Sequence, residues 1–284
     1  MRIIWVLENI EKEKSFYSRL NTLLLLNSVK LWKKYHPEDN CVLYADNLTI
    51  NLLKDLNVTL LWDEIIQVKG DDLIDKKVFW ASAKLQVLSK QIEPVIIMDN
   101  DTLVFCRLKD HLDLDTYYVH NLEQGKGYYP TAYDDYVRKL SFKRRWMTES
   151  VNVSFLYLPD PEFTREYSNL SLDMMKEFTK MKVPNSQYLI FAEQLLLNQL
   201  LTEQNKYYKS IVSTYWDCDD WKWGKDHNKG LWPINKSGEF IKHYGPLKSW
   251  IINNKADQNY EREMIHLKNG IKMPNLNLNL IEKL

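Results

Sequence analysis

Residues 94–105 read PVIIMDNDTLVF, and this stretch decides the fold. Pro94 opens an unbroken apolar run from Val95 to Met98, as a strand buried on both faces requires. Asp99-Asn100-Asp101 ends it, with two carboxylates projecting to one side while Asn100 points away. In open α/β sheets, ligands bind beyond the carboxyl ends of the strands, where this pair stands. Close carboxylates repel, so a divalent cation is their natural partner, and hard oxygen ligands suit Mn2+ or Mg2+. Asp-Asn-Asp is also good turn chemistry, and the segment alone leaves both readings open.

Upstream, strand and helix patterns alternate. Ile3 to Leu7 is a continuous apolar run and reads as the first strand; Ser18 to Tyr35 carries leucines at helical spacing up to Pro37. Cys41 to Tyr44 reads as a strand, Ile50 to Leu56 as a short helix, and Val58 to Leu61 as another strand. Glu64 to Val68 reads as extended, and Phe79 to Ser89 as a helix. This alternation predicts an α/β fold with a mainly parallel central sheet flanked by helices. Downstream, 121–149 reads as an irregular excursion. Val153 to Leu158 reads as a strand stopped by Pro159, and 168–181 and 186–201 as helices. The terminal PNLNLNLIEKL alternates Leu and Asn, which predicts an edge strand or an extended tail.

Composition narrows the function. Over 284 residues, 38 Lys and Arg balance 38 Asp and Glu, so the basic excess of a nucleic-acid binder is absent. Only 8 glycines occur, and none sits in a G-x-G-x-x-G or G-x-x-x-x-G-K-[ST] phosphate cradle. A bound diphosphate would need another anchor. Three cysteines without C-x-x-C spacing indicate reduced thiols rather than a disulfide framework or zinc site. No run reaches the roughly 18 apolar residues of a membrane span, and the N-terminus lacks the form of a signal peptide. The expectation is a cytoplasmic protein with no membrane span.

Four segments in order then resemble one family. Apolar strand plus Asp99-x-Asp101 resembles the metal motif of GT-A (Rossmann-like) glycosyltransferases. Val151-Asn152-Val153-Ser154 resembles the N-[AS]-G segment of glycosyltransferase family eight, the glycogenin and bacterial galactosyltransferase group, with Ser154 at the Gly position. Ala192-Glu193-Gln194 to Asn198 resembles its D-Q-x-x-x-N stretch, with Glu for Asp. His243-Tyr244-Gly245-Pro246-Leu247-Lys248-Ser249-Trp250 resembles its H-x-x-G-x-x-K-P-W segment, one residue short before Gly245 and with Ser249 for Pro.

The resemblance implies a metal-dependent transferase moving a sugar from a nucleotide donor, a UDP-sugar, to a hydroxyl on a glycan or glycoconjugate acceptor, with retention of configuration. Asp99, Asp101 and His243 would hold Mn2+ or Mg2+. Lys248 and Gly245 would lie at the diphosphate with Asp99, and Gln194 would lie beneath the sugar as the catalytic group. Glu193 and Asn152 would contact sugar hydroxyls, Glu193 beside the catalytic Gln194. Lys84 would reach the diphosphate or buttress Asp99; a solvated helix lysine is the alternative. Glu8, Asn9 and Asp46 at the ends of the first two strands are candidates for the nucleotide rim. Trp216, Trp221, Trp223 and Trp232 could form an acceptor platform, or simply pack. Lys143-Arg144-Arg145-Trp146 could meet an anionic acceptor, although charge runs are usually solvated.

The expected organisation is a GT-A domain over 1–250, with a nucleotide-binding half at 1–105 and a sugar and acceptor half at 106–250. A C-terminal extension follows at 251–284, and a homo-oligomer stays open. A haloacid dehalogenase-type phosphatase would want D-x-D-G-[TV], but Thr102 and Leu103 follow Asp101. A nucleotidyltransferase would carry a Gly-rich loop near the first strand, and LENIEKEKS has no glycine. A non-catalytic glycan- or nucleotide-binding relative would have little reason to keep Asp99, Asp101, His243 and Lys248 together.

Overall fold

The computed structural model describes residues 1–8, 19–124, 130–211, 216–217, 241–243, 258–271 and 276–281. In chain order the first elements are β1 (Arg2–Leu7), α1 (Arg19–Tyr35), β2 (Asn40–Ala45), α2 (Asn47–Asp55), β3 (Glu64–Gln67), α3 (Ser82–Leu88), β4 (Val95–Met98) and β5 (Thr102–Val104). Then come β6 (Tyr117–Gln124), β7 (Glu149–Leu158), α4 (Pro161–Met181), α5 (Gln187–Ile190), α6 (Leu196–Glu203) and β8 (Tyr208–Ser210). The last are β9 (Trp216–Asp217), β10 (Ile241–His243), α7 (Gln258–Gly270) and α8 (Leu278–Ile281). The expected α/β class is correct, and of the described strand pairs more are parallel than antiparallel.

The chain divides into two compact units. The first comprises Met1–Gln67, Met98–Leu112 and Asp226–Leu284. Its parallel strands run in the order β3-β2-β1, and β5 pairs antiparallel with β10. Ile3, Ile4 and Trp5 of β1 are fully buried, as the unbroken apolar run demands. Helix α1 buries Leu23, Leu24, Leu26, Val29 and Trp32, and carries Lys33 and Lys34 in its last turn, where cations favour the helix dipole. Asp46 caps α2 by accepting from Thr49 N at 2.8 Å.

Two expectations fail in this unit. Val58 to Leu61 is no strand: Thr59–Leu61 is a turn of 3-10 helix, with Leu61 N donating to Val58 O. Asn57, at φ 59°, reverses the chain straight after α2, and the next amides bond locally instead of reaching a ladder. The alternating tail is no edge strand where it is described. Leu278–Ile281 is helical because Asn277 Oδ1 accepts from Leu280 N at 3.1 Å, a cap hidden within the Leu-Asn alternation.

The second unit comprises Val68–Ile97 and Asp113–Lys225. Its strands run in the order β4-β7-β6-β8, with β6 antiparallel to β7 and parallel to both β8 and β9. Val95, Ile96 and Ile97 are fully buried. Phe178 of α4 stacks with Phe79 and meets Tyr188 and Phe191 edge-on, forming an aromatic core beneath α3 to α6. The strand expected from Val153 begins earlier, at Glu149, and 121–124 belong to β6 rather than to an excursion. Helix α4 begins at Pro161, seven residues before the expected Ser168. Asp160 caps it through Glu162 N and Phe163 N, so Asp160-Pro161 is a helix start and not merely the end of a strand.

Candidate functional site

In the first unit, Met98 ends β4 and Asp99-Asn100-Asp101 turns the chain into β5, with Thr102 N donating to Asp99 O at 3.1 Å. Asp101 is 2% exposed and Asp99 is half-buried. A carboxylate buried so deeply is costly unless it is paired, hydrogen-bonded or bound to a cation. Strand β10 lies against β5 with Ile241 opposite Val104, Lys242 opposite Leu103 and His243 opposite Thr102. The backbone of His243, some 140 residues further along the chain, therefore sits beside the residue that follows Asp101.

The His243 side chain, Asn9, Gly245 and Lys248 lie outside the described residues. Among the described residues no group of three His, Cys, Asp or Glu could hold a metal. What the described part supplies is a pair of hard carboxylates on a closed turn, with the third candidate's backbone in register, and such donors fit Mn2+ or Mg2+. Glu8 follows β1, and Asp46 N donates to Leu7 O at 3.2 Å, drawing the ends of β1 and β2 together. Asp46 itself is engaged in capping α2.

In the second unit, Lys84 on α3 meets Glu193, with Nζ 2.7 Å from Oε1 and side chains only 11% and 5% exposed. The alternative of a solvated helix lysine is thereby overturned. Glu193 and Gln194 sit on a π-helical turn, Phe191–Leu195, between α5 and α6. Such wide turns shift the side chains they carry out of helical phase, and they recur at functional sites. Tyr167 OH donates to the Glu193 carbonyl at 3.1 Å and fixes the turn from α4. Full burial, reinforced by the Glu193 charge, holds the Tyr167 phenol well above its ordinary pKa, so it stays a donor. Gln194 Oε1 is shut off from solvent with no hydrogen-bond partner among the described residues. A buried amide oxygen in that condition suits a hydroxyl donor from a ligand.

Asn152 on β7 is held at both ends of its amide. Its Nδ2 donates to Glu123 Oε1 at 2.7 Å and its Oδ1 accepts from Ser154 N at 2.9 Å. Glu123, 2% exposed on β6, is a site neighbour that sequence reading missed, because the polar run around it looked like a loop. Asn198 ties the elements together, donating to Glu149 O and accepting from Tyr208 OH. Lys143 donates to the Arg138 carbonyl, Arg144 pairs with Glu203, and Trp146 lies on Phe191 with centroids 4.7 Å apart, so three of the four residues of this run are committed within the unit. Trp216 lies on β9 opposite Glu123 in backbone register. Trp221, Trp223 and Trp232 lie outside the described residues.

This is the GT-A-type α/β fold of solved glycosyltransferases. The galactosyltransferase LgtC, in complex with donor and acceptor sugar analogues, superposes with a TM-score of 0.51 at 12% identity, over 96% of this chain and 97% of that one. An active-site Gln-to-Glu variant of LgtC gives 0.50 at 12% identity, with the same coverage. The glycosyltransferase GlyE of Streptococcus pneumoniae TIGR4 gives 0.48 at 14%, over 99% of this chain and 61% of that one. The chain belongs to the family of unknown function DUF6734, which it matches over residues 8–249. No curated protein matches its sequence. Among the described residues, no helix is long and apolar enough to cross a membrane.

Proposed function

We propose that this protein is a metal-dependent glycosyltransferase that moves a sugar from a nucleotide donor, a UDP-sugar, to a hydroxyl of a glycan or glycoconjugate. The observation that carries the reading is the register of β10 on β5, which sets the His243 backbone beside the turn bearing Asp99 and Asp101. Asp99, Asp101 and His243 would hold Mn2+ or Mg2+, and the ion would act as Lewis acid toward the departing diphosphate. Lys248, with Gly245 allowing the chain to come close, would place an ammonium where negative charge develops. Glu8 and Asn9 would border the nucleotide. Glu193, oriented by Lys84, would accept from sugar hydroxyls together with Asn152, and Gln194 would stand at the anomeric carbon on its π-helical turn. Retention of configuration would be expected from the resemblance of its motifs to those of glycosyltransferase family eight.

The test is to incubate the protein with Mn2+ and a panel of nucleotide sugars and measure release of the nucleoside diphosphate. Release that needs the metal supports the reading; no release from any donor, with or without added glycan, rejects it. NMR of the product's anomeric proton decides between retention and inversion.

A further inference from the structure

A buried hydrogen-bond relay ends one residue beyond Asp101. Trp5, in the middle of β1, donates its indole Nε1–H to Ser28 Oγ at 3.0 Å. Ser28, on α1, donates its hydroxyl proton to the backbone oxygen of Thr102 at 2.7 Å. Trp5, Ser28 and Thr102 are all fully buried. The relay is directional: a hydroxyl has one proton to give, and here it goes to Thr102 while the lone pairs receive the indole.

Thr102 is fixed from three sides. Its N–H closes the Asp99 turn, its C=O takes the Ser28 hydroxyl, and it stands opposite His243 in the β10 register. Helix α1 thus grips the first peptide of β5, between Thr102 and Leu103, directly after the two-carboxylate turn and facing His243. A Ser whose only task was to satisfy a buried indole could bond to any nearby carbonyl, including those of its own helix. This one reaches across to Thr102, 74 residues away in sequence.

We propose that Ser28 is a positioning residue for the divalent-cation site: it holds the Thr102 carbonyl and through it the orientation of Asp101. The proposal rests on the metal reading above. Groups that orient metal ligands from behind typically alter affinity by about 10–100-fold when removed.

Mn2+ alone is the probe, titrated by electron paramagnetic resonance of the free ion, with folding checked by circular dichroism. Ser28→Ala should raise the Mn2+ dissociation constant about tenfold or more, and Ser28→Thr, which keeps the hydroxyl, should restore much of it. Trp5→Phe removes the indole but leaves the Ser28 to Thr102 bond, so it should destabilise the fold and leave Mn2+ affinity within about twofold of wild type. Should Ser28→Ala fail to fold, Ser28→Cys, with its weak S–H donor, is held to the same tenfold criterion. Unchanged affinity in the Ser28 variant overturns the proposal, and so does an equal loss in Trp5→Phe, which would mean general loosening of the core. A wild-type protein that binds no Mn2+ refutes the metal reading itself, and this inference with it.

Discussion

Replacing Lys84 by Met keeps the apolar stem and removes the ammonium that faces Glu193. At a separation of 2.7 Å and an effective dielectric of about 20, the attraction between the two charges is roughly 6 kcal/mol. Desolvation of both groups offsets much of that in the intact pair. In the variant, Glu193 keeps its burial, with 5% of its side chain exposed, and loses this counter-charge. Removing one partner of a buried pair costs about 3–5 kcal/mol. Urea unfolding followed by circular dichroism should therefore show a loss in that range, with a melting temperature lower by at least about 6 °C. The Lys84→Met/Glu193→Gln double variant removes both charges and should regain about half of the loss or more, since neutral replacements of buried pairs are often tolerated. A loss below about 1 kcal/mol for Lys84→Met, the value of an exposed pair, would mean that Lys84 and Glu193 do not form a buried ion pair.

Three further outcomes are expected. A Cβ at Gly270 would collide with Asn27 Oδ1, and Asn27 is pinned by bonds from its Nδ2 to Leu23 O and Leu267 O. Gly270→Ala should thus cost about 1–3 kcal/mol and expose α7 to limited proteolysis, whereas an unchanged cleavage pattern would contradict this docking of α7 on α1. Burial pulls the Asp160 pKa up, but Lys206 and the capping amides of Phe163 and Glu162 outweigh it and hold the carboxyl below its ordinary range. Its contribution is complete above the unfolded value of about 3.9 and is lost as pH falls through the lower folded value. Urea midpoints should fall more steeply on acidification below about pH 4 in wild type than in Asp160→Asn, and parallel curves would contradict this. Burial pushes the Cys41 thiol up to about 12 and Cys106 up to about 11. In a Cys218→Ser background both should react with a disulfide reagent far faster after unfolding than before, and rapid native labelling of the Cys41 peptide would count against its burial.

The parts of the fold legible in the sequence were those where one physical signal dominates. Val95 to Met98 has no reading other than a doubly buried strand, and the leucines of α1 show helical period plainly. The failures are local. Asp160-Pro161 carries a strong helix-start signal, hidden because Pro159 had already explained the end of β7. Strand β6 has His120, Asn121 and Glu123 on buried positions, so its apolar pattern is broken by polar groups, of which Glu123 holds Asn152. The Leu-Asn alternation of the tail gave way to one capping side chain, Asn277.

For the candidate site, residue types and order were readable, but contacts were not. Nothing in the spacing of Lys84 and Glu193 reveals that they form an ion pair, because α3 and the π-helical turn meet only through tertiary packing. The register that sets His243 opposite Thr102 is likewise a long-range property, invisible to any window of sequence.

In the proposed function, Asp99 and Asp101 bind a cation that in turn holds a nucleoside diphosphate. Calorimetric titration of UDP into the protein, with and without Mn2+, tests it most directly. Binding should require the metal and disappear in Asp101→Asn. UDP binding of equal strength in the absence of any divalent ion, or retained in Asp101→Asn, would contradict it.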